Sequence, residues 1–275
     1  MTEYQSYPGL KTEKSNNSTE VGIEKLKVEG LYVLKSVIDQ KKIEYLSAKL
    51  DEIWDKQLQS YGEKFLKDIG DWGVTRGLFD YDSIFFDLIT EPSILEMIDR
   101  ILGESAILHL QNGILLFPSI KHNQGAYHRD FAKNFICTKQ LSINALIAID
   151  DFTEENGATF FLKGTHLFEN MPSPSFISDS EIQIAAPAGS IIFFDSLLWH
   201  RGGTNLTQRT RRAINQQYTR PFIKQQLDYP SMLPIDFDKE SRLAQKMGLW
   251  SIPPKGTSGY RVKDSKLRSY RSGQG

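Results

Sequence analysis

The chain has 275 residues, 40% of them hydrophobic and 24% charged, so it can bury a sizeable core and is expected to be a soluble globular protein rather than a disordered or fibrous one. A formal net charge of −1 provides no general field that would attract nucleic acid or an anionic membrane surface. The single cysteine, Cys137, excludes an internal disulfide framework and favours a reducing compartment such as the cytoplasm.

The N-terminal region is predicted to be a flexible tail over residues 1–20, because this stretch is polar and contains no apolar run. For the same reason we expect no signal peptide, and no other apolar run is long enough to span a bilayer. The sequence contains no convincing linker, repeat or low-complexity tract. Residues 21–275 are therefore predicted to form a single domain.

Helices are predicted in the part of the chain that follows. A short strand is expected over residues 28–34, and Asp39 is expected to cap the helix after it. That helix has apolar residues at helical spacing, which predicts one buried side. These residues are Ile43, Leu46, Leu50, Ile53, Trp54 and Leu58. A second helix is expected to begin at Pro92 and to end at Gly103.

From Ile107 onward, short apolar runs separated by turn-forming residues predict β-strands. The predicted strands are residues 107–117, 141–149, 158–162, 182–185, 190–194 and 212–219. Many short strands preceded by helices are typical of an antiparallel β-sandwich of jelly-roll type in which helices cover one sheet. The predicted fold class is therefore mainly β.

A pattern of two histidines and one aspartate predicts a metal site. Residues two apart on a strand point to the same face, so His128 and Asp130 can bind one ion while Arg129 points away. His200, on a second predicted strand, would provide the third ligand. Two imidazoles and one carboxylate on one face of an octahedral ion leave other positions open, which is the arrangement of non-haem Fe(II) oxygenases. Because an H-x-D triplet alone is a weak signal, the surrounding sequence has to support it.

Five blocks that occur in order provide this support. They are YHRD at residues 127–130, DFTEENGA at 151–158, LKGTH at 162–166, PAGSIIFFD at 187–195 and HRGGTN at 200–205, which Arg211 follows. Together they resemble the phytanoyl-CoA dioxygenase family, and the resemblance is good over residues 107–219 and loose in the flanks. It implies a double-stranded β-helix (jelly roll) and an oxygenase that depends on Fe(II), 2-oxoglutarate and O2.

The resemblance also implies roles for individual residues. His128, Asp130 and His200 match the family's iron ligands. Arg211 matches the arginine that pairs with the distal carboxylate of 2-oxoglutarate, a role that suits a planar guanidinium because it stays charged in a pocket and can bind a carboxylate bidentately. Arg212 is expected to point away from Arg211, since neighbouring strand residues face opposite sides.

Four further residues have less specific matches. Gln111 matches a strand glutamine that contacts the cosubstrate in some members, and Asn144, on a neighbouring strand, is placed for the same role. Gly202 stands where some members have a serine, so one hydrogen bond to the cosubstrate is expected to be missing or replaced. Arg129 is variable in the family, and it is expected to lie near the metal ligands or the substrate.

Other polar residues near these blocks have structural interpretations. His166 is expected to hold a turn through a ring hydrogen bond, His109 to pack in or beside the sheet, and His122 to lie on an exposed loop. Asp195 is five residues from His200, which places the two side chains on opposite faces of a regular strand. We therefore expect Asp195 to be a turn or sheet-edge residue.

The substrate is expected to be a small metabolite or natural-product intermediate, because no basic cluster suits the phosphates of a CoA thioester. Residues 71–81, 121–125, 133–140, 170–181 and 221–260 are expected to shape the pocket. Asp130 favours hydroxylation over halogenation, because related halogenases have a small residue in place of the carboxylate. Desaturation, ring formation and epimerisation use the same ligand set and stay open.

Two other functions remain open. The first is a cupin-type metal-dependent isomerase or hydrolase that does not use 2-oxoglutarate. The second is a non-catalytic ligand-binding jelly roll, in which loss of a metal ligand would be expected. No nucleic-acid or membrane partner is expected, and the sequence does not indicate an oligomeric state.

Overall fold

The structure is a computed structural model that describes residues 18–119, 123–130, 135–262, 270–271 and 273–274. The strands within these residues form two antiparallel sheets. The strands are β1 Leu31–Leu34, β2 Val74–Arg76, β3 Ile107–Leu116, β4 Ser142–Ala148, β5 Phe160–Leu162, β6 Glu181–Gln183, β7 Ile191–Asp195, β8 His200–Arg201 and β9 Arg211–Thr219. The large sheet has six strands in the order β1-β7-β4-β9-β3-β2, and the small sheet has three in the order β6-β5-β8. This arrangement confirms the predicted jelly roll.

The helices are more extensive than the sequence analysis predicted. They are α1 Ser18–Val28, α2 Gln40–Tyr61, α3 Glu63–Asp68, α4 Ile84–Ile89, α5 Pro92–Leu102, α6 Pro174–Ser180, α7 Tyr229–Met232, α8 Arg242–Lys246 and α9 Thr257–Tyr260. Across the described part of the chain, none of them is both long enough and apolar enough to cross a bilayer.

Helices α1, α2, α4 and α5 cover the outer face of the large sheet. Leu50 of α2 and Ile94 of α5 belong to the same buried cluster as Ile143, Phe193 and Ile214 on the strands. Burial of such side chains contributes roughly 1.5–3 kcal/mol each, so this contact is a main source of fold stability. The prediction that helices pack on one sheet is confirmed.

The boundaries of the first helices follow from local signals. Asp39 caps α2 as predicted, because its carboxylate accepts a hydrogen bond from Lys42 N–H at 3.0 Å. Helix α5 begins at Pro92 and its C-cap is Gly103, also as predicted. Helix α1 was not predicted; it begins at Ser18, so the expected start of structure at Val21 lies inside it.

The C-terminal segment is less of a pocket wall than expected. Tyr229 and Lys246 are buried, and Lys246 Nζ donates to Asp99 Oδ1 at 2.7 Å and to Ala106 O at 3.0 Å. Of residues 221–260, Gln226 is the one that lines the chamber beside the metal site. Other residues of the segment also pack on the fold: Gln225 Nε2 donates to Leu108 O of β3, and the ring of Phe237 packs against Phe86 of α4.

Alternation along the strands separates the two faces of the large sheet. In β4, Ile143, Ala145 and Ile147 face the helices, whereas Leu146 and Ala148 face the small sheet. The interior between the sheets also contains Phe161, Ile192, Phe194 and Ala213. The site described below lies in this interior, so the side of a strand on which a residue falls decides whether it can take part.

The turn before β7 depends on a glycine. Gly189 has φ +78°, and a Cβ there would lie 2.5 Å from Ile38 O. We expect Gly189→Ala to lower the free energy of unfolding by about 2 kcal/mol or more, because backbone strain and a backbone clash add. The matched control is Gly164→Ala, where φ is +77° but the nearest atom, Val28 O, is 3.7 Å away. Chemical denaturation should show a smaller loss of unfolding free energy for Gly164→Ala. Equal losses for the two variants would show that the clash with Ile38 O does not contribute.

Candidate metal centre

The three residues predicted as metal ligands lie together. His128 and His200 form an antiparallel bridge in which each backbone N–H donates to the other residue's carbonyl, at 3.0 and 3.2 Å. Asp130 N–H donates to Ser196 O at 3.1 Å, in the turn after β7. His128 Nε2 lies 3.4 Å from Asp130 Oδ1, and His200 Nε2 lies 3.7 Å from Asp130 Oδ2. Because one ligand atom from each residue lies within 4.8 Å of the others, all three can bind one ion.

Both imidazoles are oriented by backbone carbonyls. His128 Nδ1 lies 2.8 Å from Ala126 O, and His200 Nδ1 lies 2.9 Å from Leu198 O. A carbonyl can only accept, so each Nδ1 carries the proton and each Nε2 presents a lone pair. His128 Nε2 is buried and has no hydrogen-bond partner among the residues that the structure describes. This donor set fits a divalent transition metal.

Burial and charge set the protonation of the site. Burial lowers the pKa of His200 to about 4, so its imidazole is neutral at physiological pH. Burial also disfavours the charged form of His128, but the Asp130 carboxylate, 3.4 Å from His128 Nε2, outweighs burial and raises the His128 pKa. For Asp130, burial disfavours the carboxylate, yet His200 and His128 lower its pKa overall.

These pKa shifts predict how many protons a metal displaces. Near pH 6 the apoprotein has a protonated His128 and a neutral His200, so binding of one divalent ion should release about one proton. As the pH rises through the raised His128 pKa, this residue also becomes neutral and the release should fall toward zero. Calorimetric titration of Zn(II) in buffers of different ionisation enthalpy measures this number. Release of two protons near pH 6 would show that His200 is protonated as well.

Arg211 lies in the same small cavity as the metal ligands. The cavity, of about 40 Å³, is lined by Asp130, His200, Arg211 and Asn215 among others. Arg211 is 5% exposed, stacks over Phe152 with Cζ 4.2 Å from the ring centroid, and burial lowers its pKa to about 10. Its Nε has no partner among the described residues, so a buried, still charged guanidinium has free hydrogen-bonding capacity.

Arg212 points the other way, as expected from strand alternation. Its guanidinium donates to Asp51 on α2, with distances of 2.7 and 2.8 Å, and to Asp150 at 3.1 Å. These bonds engage the side chain outside the interior. Of the two neighbouring arginines, only Arg211 can therefore face the metal.

The structure does not bring Gln111 to the cavity. Its amide Nε2 donates to Phe85 O at 2.9 Å, on the helix side of β3. The reason is a β-bulge between Leu108 and Leu110, which reverses the alternation of the strand. Contrary to the prediction, Gln111 therefore does not line the cavity. Asn112 is the β3 amide that lines the adjoining chamber.

Asn144 lies on the interior face of β4 but is not among the residues that line the cavity, and its contact with the cosubstrate stays a prediction. It donates to Ser196 Oγ at 2.8 Å and its Oδ1 accepts from Asn215 Nδ2 at 3.1 Å. Asn215 and Thr159 line the cavity and were not predicted. Asn215 could have been found from strand alternation, because it is four residues after Arg211 on the same face of β9.

Several structural interpretations agree with the geometry. His166 is buried and its Nε2 lies 3.2 Å from Lys27 O, which ties the small-sheet turn to α1. Asp195 is buried at the end of β7, accepts from Leu197 N–H at 2.9 Å, and burial raises its pKa to about 6. Gly202 N–H donates to Gln124 O at 2.6 Å where the resemblance suggested a serine. His122 lies outside the described residues.

Arg129 ties the ligand-bearing segment to the turn of residues 165–169. Its Cζ lies 4.9 Å from the ring centroid of Trp199, and burial lowers its pKa. Its two terminal nitrogens donate to the backbone oxygens of Phe135, Thr165, Phe168 and Glu169. This arrangement positions the segment that carries His128 and Asp130.

A larger cavity of about 300 Å³, here called the polar chamber, adjoins the metal site. Its lining residues are Gly70, Asp71, Val74, Arg76, Leu110, Asn112, Ile114, Gln124, Arg129, Asp130, Asn215 and Gln226. Asp130 and Asn215 also line the smaller cavity, so the two spaces share a wall. Arg76 from the segment 71–81 lies here, which agrees with the expectation that this segment borders a pocket.

Comparison with known sequences places the chain in a family. A profile described as Phytanoyl-CoA dioxygenase (PhyH) matches residues 26–213. The uncharacterized protein Rv1501 of Mycobacterium tuberculosis is 34% identical over 269 residues, which are 95% of this chain and 98% of that protein. Dioxygenase trt7 of Aspergillus terreus is 29% identical over 204 residues, or 69% of each chain.

Solved structures share the fold. The non-heme alpha ketoglutarate dependent epimerase SnoN from nogalamycin biosynthesis has a TM-score of 0.56 at 20% identity, covering 74% of this chain and 80% of SnoN. SnoN has also been solved in complex with Fe3+, alpha ketoglutarate and nogalamycin RO. EvdMO1 has a TM-score of 0.59 at 19% identity over 74% of this chain and 50% of EvdMO1. The family profile covers well over half of this chain, and the chain belongs to the phytanoyl-CoA dioxygenase (PhyH) family.

Proposed function

We propose that the protein is an Fe(II)- and 2-oxoglutarate-dependent dioxygenase that hydroxylates an unactivated C–H bond of a small molecule, with succinate and carbon dioxide as coproducts. The observation that carries this proposal is the small cavity lined both by Asp130 and His200 and by the buried Arg211. 2-Oxoglutarate has a metal-chelating keto acid at one end and a carboxylate at the other. A metal site and a guanidinium in one cavity are complementary to these two ends.

The bound iron and its cosubstrate supply the oxidising chemistry, and the protein supplies binding, orientation and exclusion of water. His128 and His200 each present an Nε2 lone pair because their Nδ1 protons are held by carbonyls. Arg211 holds the distal carboxylate of 2-oxoglutarate from its stack on Phe152. Apolar side chains of the same cavity, including Leu116 and Leu146, keep water away from this ion pair and strengthen it.

Asp130 argues against halogenation as the outcome, whereas desaturation, ring formation and epimerisation use the same ligand set as hydroxylation. Its carboxylate lies within reach of both imidazoles, so it completes a ligand set of three protein groups. Because the Asp130 carboxylate fills the third ligand position, no ligand position is left vacant for a halide, as it would be if a small residue stood there. The cytoplasmic location expected from the cysteine content stays a prediction.

Anaerobic titration of the apoprotein with Fe(II) and 2-oxoglutarate tests the proposal. We expect a weak visible metal-to-ligand charge-transfer band, and succinate should form when O2 is admitted with substrate. Folded, metal-loaded protein without this band would contradict the proposal. It would favour the cupin-type isomerase or hydrolase if metal-dependent turnover is found, and the non-catalytic jelly roll if it is not.

A further inference from the structure

We infer that the substrate of the proposed dioxygenase is a neutral, polyhydroxylated molecule of about monosaccharide size, bound in the polar chamber. This inference rests on the proposed function, because it concerns the molecule that is oxidised beside Asp130.

The charged side chains of the chamber are already engaged. Arg76 Nε and Nη2 donate to the two carboxylate oxygens of Asp71, both at 2.7 Å, and Nη1 donates to Gln226 Oε1 at 3.1 Å. Arg129 directs its two terminal nitrogens to backbone oxygens rather than into the chamber. Asp130 is a metal-ligand candidate. Arg129 Nε has no partner among the described residues, but a charged substrate would have to break the Arg76–Asp71 ion pair or the backbone bonds of Arg129 to gain a bidentate partner.

The uncharged amides of the chamber have hydrogen-bonding capacity to spare. Asn112 makes no side-chain hydrogen bond within the part of the chain that the structure describes. Asn215 Oδ1 is buried and has no partner among the same residues. Gln226 Oε1 accepts from Arg76, but Gln226 Nε2 donates to no acceptor among the described residues. Amides both donate and accept, so they suit hydroxyl groups, which also do both.

The apolar part of the chamber wall and the chamber volume further restrict the class of substrate. Val74, Leu110 and Ile114 form an apolar part of the lining, which suits the C–H face of a saturated ring. None of the described residues that line the chamber is aromatic, so a flat nucleobase or polyaromatic ring has no stacking partner there. The volume of about 300 Å³ is at the lower end of the roughly 300–1,000 Å³ of small-molecule sites.

The position of the chamber makes it a substrate site rather than a remote one. Asp130 and Asn215 belong to the walls of both cavities. A molecule held by Asn112 and Asn215 would therefore lie beside the metal ligands, while 2-oxoglutarate would lie between the metal and Arg211. The two ligands approach the metal from different spaces and do not compete.

A size-matched series of probes tests the inference on the protein loaded with Fe(II) and 2-oxoglutarate. The series contains methyl glycosides of glucose, galactose, mannose and N-acetylglucosamine, with glucuronate as the anionic member and cyclohexanol as the apolar one. We expect at least one methyl glycoside to perturb the charge-transfer band anaerobically and to raise the rate of succinate formation severalfold with O2, while glucuronate and cyclohexanol do neither.

Substitutions in the polar chamber test whether the glycoside binds there. Asn112→Leu and Gln226→Leu should each raise the half-saturating glycoside concentration about tenfold, as expected for one lost hydrogen bond of about 1.4 kcal/mol, and should leave the affinity for 2-oxoglutarate unchanged. Gln40→Leu, at an exposed position of α2, is the matched control. A response of the enzyme to glucuronate or cyclohexanol instead of a methyl glycoside would overturn this inference. So would the lack of a response to every probe while the charge-transfer band still forms, and in both cases the proposed function would stand. Absence of the band would overturn the proposed function and this inference with it.

Discussion

Replacement of Arg211 by methionine should weaken the binding of 2-oxoglutarate by about 30-fold or more, because loss of one partner of a buried, hydrogen-bonded charge pair costs roughly 2–5 kcal/mol. Methionine keeps an aliphatic side chain over Phe152, so the change removes the charge with little loss of packing. The measurement is the dissociation constant from anaerobic titration of the charge-transfer band, with metal content determined in parallel.

The neighbouring arginine provides the control. Arg212→Met should leave the affinity for 2-oxoglutarate within about twofold of the wild type, since its guanidinium is bonded to Asp51 and Asp150 outside the interior. It should instead lower stability by up to about 1 kcal/mol, as is usual for partly exposed ion pairs. Equal effects of the two substitutions on cosubstrate affinity would show that Arg211 is not the carboxylate anchor.

His128→Ala should lower the affinity for Fe(II) by more than about 100-fold, because loss of a group that merely orients a ligand already costs about 10–100-fold. The substitution leaves Asp130 and His200 without the third ligand. Equilibrium dialysis against Fe(II) under anaerobic conditions, or against Zn(II) in air, measures the effect. Retention of wild-type affinity would exclude His128 from the metal site.

His166→Ala separates metal binding from folding. His166 is also buried, but its ring contacts Lys27 O and lies outside the triad. We expect a lower melting temperature and an unchanged metal affinity for this variant. His128→Ala should show the reverse pattern. Its metal affinity should fall, whereas the melting temperature of the metal-free protein should stay close to the wild-type value, because only the side-chain contacts with Ala126 and Asp130 are lost.

The core of the site was predictable because it depends on strand alternation. His128 and Asp130 lie two apart, and Arg211 and Arg212 are neighbours, so the side chains that face inward follow from a regular strand. Gln111 shows the limit of this argument. A single bulge at residues 108–110 changes which side chains face inward, and its position depends on pairing with β9 rather than on local sequence.

Helices α1 and α6 were missed for different reasons. In α1 the buried side chains are few, Ile23 and Leu26, and its other apolar residues, Val21 and Val28, are exposed. Helix α6 has a Ser173 cap and Pro174 at its first turn, a start signal that the sequence analysis did not use. The burial of Lys246 depends on Asp99 and on two backbone carbonyls far away in the chain, which no local pattern specifies.

The two chain segments that carry His128 and His200 are joined by the two backbone hydrogen bonds of their bridge and, on either side of it, by Asp130 N–H to Ser196 O and Gly202 N–H to Gln124 O. In the proposed iron enzyme, the metal is therefore also a cross-link between these segments. At a free metal concentration 100 times the dissociation constant, it would stabilise the folded state by about 2.7 kcal/mol. Cellular iron supply would then set the lifetime of this protein against proteases as well as its activity.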